Sequence, residues 1–166
     1  ADRVGVTVKT KNGEYITLTG NQTGVLLCEF ILRNRKATGS LPKNGAIIKT
    51  IVTTDMVYPI AKDYQTEVVD VLTGFKFIAE KIKEFETTKK YEYVFGFEES
   101  YGYLAGTHAR DKDAVVTSML VAQMAADYKL KGLTLYEGLI ALYEKYGYYG
   151  DSLYNLVLSG IDGANK

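Results

Sequence analysis

The sequence predicts an α/β fold: a three-layer domain with a largely parallel or mixed sheet flanked by helices, preceded by a β-hairpin. Three observations carry this. Apolar stretches of strand length, "AIIKTIV", "EVVDVL" and "YEYVFGF", alternate with segments of helical period. Asn12-Gly13 sits between two β-prone runs, the strongest short hairpin signal. With 166 residues, 46% of them hydrophobic, the chain can bury one core and part of a second.

The elements follow in order. "RVGVTVKT" and "EYITLTG" flank Lys11-Asn12-Gly13 and form the hairpin. From Asn21 the period changes: Val25, Leu26 and Phe30 recur at helical spacing, so a helix is predicted over about 21–36. Gly39, Pro42 and Gly45 mark a loop, and a strand over 46–52 follows. Thr54 or Asp55 caps a short helix running to Asp63. A strand over 67–72 precedes a helix from Gly74 to about Phe85, whose Phe77, Ile78, Ile82 and Phe85 share one face. The next strand, "YEYVFGF", leads into "GFEESYGYLAGTHARDKD" (96–113), read as one long loop. Helices over about 112–129 and 134–147 close the series, the second opened by a Thr134/Glu137 capping box.

Composition removes several classes of function. Lys plus Arg equals Asp plus Glu at 20 each, whereas a dedicated nucleic-acid binder shows a basic excess. No apolar run approaches roughly 18 residues and no signal peptide is visible, so neither a membrane nor export is expected. Cys28 is the one cysteine; without a partner for an internal disulfide it fits a reducing cytoplasm. Within "GVLLCEFIL" it reads as a buried, inert thiol. The 14 tyrosines crowd toward the C-terminal side and point to no single chemistry.

In an open parallel sheet, ligands bind beyond the carboxyl ends of the strands. Three loops hold that position: "TTD" (53–55), "TGFK" (73–76) and "GFEES" (96–100). Glu98 and Ser100 face the same way on extended backbone. They pair a charged acceptor with a hydroxyl, which suits vicinal sugar hydroxyls. Arg110 and Lys112 alternate likewise ahead of a helix, where two cations and backbone N–H groups suit a phosphate. The plainer readings are a solvated loop for the first pair and a solvated helix end for the second. His108, the sole histidine, has no Ser or Cys nucleophile motif around it and reads as a surface or loop-stabilising residue.

"TGFK", "GFEESYG" and "RDKDA", in this order and at these intervals, resemble the third domain of the α-D-phosphohexomutases, the superfamily of phosphoglucomutases and phosphomannomutases. The opening "ADR" resembles the end of that family's D-x-D-x-D-R metal loop. The likeness runs from Asp2 to about Gly147. "GFEESYGYLAG" with "RDKDAV" is most similar to the bacterial phosphoglucomutase branch, related to the phosphopentomutase type. Gly102 stands where the dual phosphomannomutase/phosphoglucomutase branch carries a histidine.

The resemblance implies a cytoplasmic four-domain enzyme, an isomerase interconverting hexose 1-phosphate and hexose 6-phosphate. A phosphoserine in the first domain donates its phosphoryl group, and the hexose 1,6-bisphosphate formed turns over and returns the other phosphate. Carried onto this sequence, Glu98 and Ser100 would hold sugar hydroxyls in both orientations, and Thr73, Gly74 and Lys76 would line the cleft. Arg110 would also bind substrate. Arg3 and Lys112 would neutralise charge around the phosphoryl in flight, and Asp2 would be the last of three carboxylate ligands of Mg2+. The implied division is residues 1–17 as the tail of domain II, 18–148 as domain III, and 149–166 as a linker towards domain IV. Both ends read as cut. The serine nucleophile, two metal carboxylates and domain IV fall outside, so the fragment alone is expected to be inactive. Its partners are then hexose phosphate and the missing domains I, II and IV. Alternatives stay open: a phosphomannomutase or phosphopentomutase of the same superfamily, a non-catalytic sugar-phosphate or nucleotide module, or an interaction domain using Tyr143–Tyr154. No G-x-G-x-x-G or P-loop glycine pattern favours the nucleotide.

Overall fold

The computed structural model describes residues 2–152 and 154. Most of the expected linker over 149–166 therefore lies outside the described residues. The chain opens with a hairpin, β1 (Val6–Lys9) and β2 (Tyr15–Leu18), whose turn is closed by Thr10 N–H donating to the Glu14 carbonyl at 2.8 Å. There follow α1 (Gly20–Ala37), β3 (Gly45–Thr50), α2 (Val57–Asp63), β4 (Glu67–Val71), α3 (Phe75–Thr88), β5 (Glu92–Glu98), β6 (Gly102–Ala105), α4 (Ala114–Leu130) and α5 (Leu135–Tyr146). The main sheet has the order β4-β3-β5-β6; β3 runs parallel to both neighbours, and β6 returns antiparallel on β5. The predicted class, a mixed sheet between helices behind a separate hairpin, is the observed one.

Side-chain alternation sorts the sheet into two cores. Ile48, Val71, Tyr93 and Leu104 face α3, where Phe75, Ile78, Ile82 and Phe85 cover them. Ile47, Phe95, Phe97 and Tyr103 face the other way, toward α1, α2, α4 and α5. The pairing of β3 with β5 slips by one residue between Ala46 and Ile47, so Val94 is extra and joins Phe95 in the same core. Every residue of the central strand β3 is buried, Lys49 included. Helix starts follow their caps: Thr19 with Gln22 opens α1 and Thr134 with Glu137 opens α5, both as capping boxes, and the Asp113 carboxylate opens α4.

Three expectations need correction. The long loop over 96–113 contains a strand, β6, because Tyr103 and Leu104 carry large side chains that bury on opposite faces of the sheet. The turn before it lacks the Asn-Gly signature and instead places Tyr101 at φ 67°, so nothing in the local sequence marks a hairpin. The strand over 46–52 stops at Thr50, and Ile51 and Val52 are more than half exposed (58% and 55%). Neither Thr54 nor Asp55 caps α2 with its side chain; that helix starts after Met56, and Asp55 pairs with Lys49.

Cys28 is fully buried in α1, where burial pushes its thiol far above its usual range. A thiol reagent such as DTNB should leave the native chain unlabelled and react stoichiometrically once urea unfolds it. Labelling of folded protein at the rate of a free thiol would contradict this packing.

Candidate functional site

The carboxyl ends of β3, β4 and β5 meet at one edge of the sheet, and Glu98 is the last residue of β5 there. It is 5% exposed, yet its Oε1 accepts a hydrogen bond from the Gly74 N–H at the start of α3, at 3.0 Å. Burial raises the Glu98 carboxyl above its ordinary range, against the opposing pull of the Gly74 N–H, Lys112 and Arg3. Opposite it on β6 stands Gly102, where a Cβ would lie 2.4 Å from the Lys112 side-chain carbon Cδ and 3.2 Å from Glu98 Oε2. The missing side chain is therefore what lets Lys112 lie down beside the carboxylate.

Lys112 is only 12% exposed. Its ammonium lies 2.8 Å from Asp111, 3.8 Å from Asp2 and 5.3 Å from the centre of the Phe75 ring. The N-terminal segment is tied to the same place: Arg3 bridges Gly102, and Val4 N–H donates to the Tyr101 carbonyl at 3.2 Å. Asp2, Arg3, Gly74, Glu98 and Lys112 are thus brought together from four separate parts of the sequence. These residues do not make a metal centre by themselves. Asp2 is a single carboxylate facing a lysine, and the described residues contain no group of three His, Cys, Asp or Glu placed to hold an ion.

Ser100 is half-buried in the β5–β6 turn, past the end of β5, so the extended backbone expected to aim it with Glu98 stops short of it; Thr73 and Lys76 are exposed beside Gly74. The Lys76 ammonium lies 4.8 Å from the centre of the Phe77 ring. Arg110 is not brought to this group. Its guanidinium makes two hydrogen bonds of 2.7 Å to Glu86 and a third to the Thr107 carbonyl. Glu86 lies near the far end of α3, about 18 Å along the helix from Gly74. His108 Nε2 lies 2.7 Å from Asp113 Oδ2, so it braces the loop ahead of α4 and helps hold the Asp113 carboxyl below the usual carboxylate range.

A second polar group beside the first was missed in the sequence. Lys49, 1% exposed, lies 3.0 Å from both Asp55 and Asp70 and donates to the Thr53 carbonyl at 3.1 Å. Tyr58 donates its phenol proton to Asp70, which raises the phenol's pKa to about 12. The Thr50 and Thr53 hydroxyls lie 2.7 Å apart and both face Glu99 Oε2. The available signal was a lysine inside the otherwise apolar run "AIIK", followed by three threonines.

The raised carboxyl of Glu98 has a signed consequence. Its contribution to stability is complete below the unfolded-state pKa and is lost as pH rises through the higher folded value. Glu98→Gln keeps an acceptor for the Gly74 N–H and removes the charge. In urea titrations from about pH 4 to about pH 7, the variant should therefore gain stability relative to wild type as pH rises. A stability difference that stays constant across that range would show that Glu98 is not perturbed.

The sequence pattern described as phosphoglucomutase/phosphomannomutase, alpha/beta/alpha domain III, matches residues 19–146. The curated phosphoglucomutase of Staphylococcus aureus strain MSSA476 is 35% identical over all 166 residues, and the chain spans 29% of that relative's length. Among solved structures, a Thermus thermophilus protein designated a phosphomannomutase superposes with TM-score 0.66 at 24% identity, over 89% of this chain and 29% of that one. The Paramecium phosphoglucomutase parafusin, in its open form, gives TM-score 0.63 at 19% identity, over 89% and 24%. At such identities these two structures speak for the fold, while the pattern match speaks for the family. The chain belongs to the phosphoglucomutase/phosphomannomutase family, as its α/β/α domain III.

Proposed function

We propose that this chain is the sugar-gripping third domain of a phosphoglucomutase-type enzyme that interconverts hexose 1-phosphate and hexose 6-phosphate. The observation that carries the reading is the meeting of Glu98, the Gly74 N–H and Lys112 at the carboxyl edge of the sheet. A buried acceptor with one oxygen held by backbone can offer the other to a hydroxyl, and Ser100 stands two residues along. The 35% identity to a Staphylococcus aureus phosphoglucomutase along the whole chain supports glucose over its alternatives. An N-acetylphosphoglucosamine mutase of Aspergillus fumigatus with the same fold, TM-score 0.60, was solved with glucose 1,6-bisphosphate.

In this reading the phosphoryl group leaves a phosphoserine outside the described residues for a sugar hydroxyl. The hexose 1,6-bisphosphate formed turns over, and its other phosphate returns to the serine. Glu98 and Ser100 grip hydroxyls common to both orientations, Thr73, Gly74 and Lys76 line the approach, and Lys112 and Arg3 supply positive charge near the phosphoryl in flight. Arg110 reaches substrate only by leaving Glu86, so its role rests on the resemblance alone. Asp2 contributes one oxygen to Mg2+ only where other carboxylates join it. Residues 1–17 then belong to domain II, 18–148 to domain III and 149–166 to a linker.

Kinetics on the complete protein test this, with glucose 1-phosphate, mannose 1-phosphate and ribose 1-phosphate as competing substrates. Glu98→Gln and Ser100→Ala should each slow turnover roughly ten- to hundredfold, the loss of about 1–3 kcal/mol from one hydrogen bond. Both directions should suffer by comparable factors. Lys112→Ala should lower kcat more than it raises KM. Wild-type kinetics in the Glu98 and Ser100 variants would remove the sugar-binding role from this turn. A preference for mannose or ribose phosphate would move the protein to another branch of the family.

A further inference from the structure

We propose that Glu99, lying between the two sugar-facing residues, is a positioning residue that ties the β5–β6 turn to the loop after β3. The inference rests on the sugar-phosphate reading above and assigns a residue that this reading leaves idle. Glu99 Oε2 lies 3.3 Å from the Thr50 hydroxyl and 3.2 Å from the Thr53 hydroxyl, which are themselves 2.7 Å apart. Two hydroxyls have two protons between them. One serves the threonine pair, and the other is left for the carboxylate, so the three groups form one chain of hydrogen bonds.

That chain has a fixed anchor. The Thr53 carbonyl accepts from Lys49, and Lys49 is buried and clasped at 3.0 Å by both Asp55 and Asp70. The backbone of Glu99 is held separately, by α1. Gly20, in the first turn of α1, packs so tightly that a Cβ there would lie 1.8 Å from the Glu99 carbonyl oxygen. Tyr103, across the same turn on β6, donates to the Gly20 carbonyl at 3.0 Å. Side chain and main chain of Glu99 are thus fixed by different elements, while Tyr101 two residues on adopts φ 67°. Any shift of Glu99 moves Glu98 and Ser100 together. Misplacement by about 1 Å is enough to cost a large factor in rate.

The experiment uses the complete protein carrying Glu99→Ala, Glu99→Gln or Thr53→Val, each alone and combined with Ser100→Ala. Steady-state rates are read with glucose 1-phosphate, and amide hydrogen exchange is read at residues 100–102. Glu99→Ala and Thr53→Val should lower kcat roughly tenfold with KM nearly unchanged, and Glu99→Gln, which keeps an acceptor oxygen, should recover most of the loss. In the Ser100→Ala background the further loss should be smaller than in wild type, because one of the two groups being positioned is already gone. Exchange at 100–102 should quicken in Glu99→Ala and Thr53→Val. Unchanged kcat in both, or losses that multiply fully with Ser100→Ala, would overturn the assignment. Should Glu99→Ala fail to fold, Thr53→Val leaves the carboxylate in place and is judged by the same two criteria. A wild-type protein inactive on all three sugar phosphates would instead overturn the sugar-phosphate reading. The exchange rates would still decide whether Glu99 holds the turn, since no change in them contradicts it.

Discussion

A carboxylate buried at the end of a β-strand is the constraint around which the rest of the site is arranged. Glu98 occupies the last position of β5, under the start of α3, and its charge must find compensation there. Three elements supply it: α3 gives a backbone N–H, the loop before α4 gives Lys112, and the N-terminal segment brings Arg3. The last two depend on β6 folding back on β5: Arg3 pairs with Gly102, and Lys112 lies in the space that Gly102 leaves. The hairpin of β5 and β6 is therefore as much a part of the candidate site as Glu98 and Lys112 themselves.

The second polar group follows the same logic one strand away. Taking Lys49 out of water is costly, and its two carboxylates and the Thr53 carbonyl offset that cost. A hydrophobic residue would fill β3 at least as well for stability alone. The arrangement instead holds the loop from Ile51 to Asp55, whose Thr53 hydroxyl, with that of Thr50 at the end of β3, reaches Glu99 in the β5–β6 turn. The two loops are thereby joined by hydrogen bonds at the same edge of the sheet.

Much of the fold was legible in the residues because each signal was local. Asn12-Gly13 marked the hairpin, alternating strand and helix patterns marked the layers, and Thr134 with Glu137 marked a helix start. Strand β6 was not legible, since its turn relies on Tyr101 at positive φ and its burial on partners far along the chain. Of the candidate site, Glu98, Ser100, Gly74 and Lys112 could be named from their motifs, and the structure brings Glu98, Gly74 and Lys112 together, with Ser100 in the adjoining turn. The alternation of Arg110 with Lys112 misled about direction: the chain between β6 and α4 turns, so the two side chains serve opposite ends of α3. The Lys49 group was hidden because a lysine in an apolar run looks solvent-facing until the strands on both sides are known.

We propose that one edge of the sheet grips a sugar by its hydroxyls whichever phosphate end is presented. Crystal structures of the complete protein with glucose 1-phosphate and with glucose 6-phosphate test it most directly. Sugar hydroxyl oxygens should lie within about 3 Å of both Glu98 and Ser100 in the two complexes, with the ring reversed between them. A sugar held in both complexes by residues elsewhere, with Glu98 still facing only Gly74 and Lys112, would contradict it.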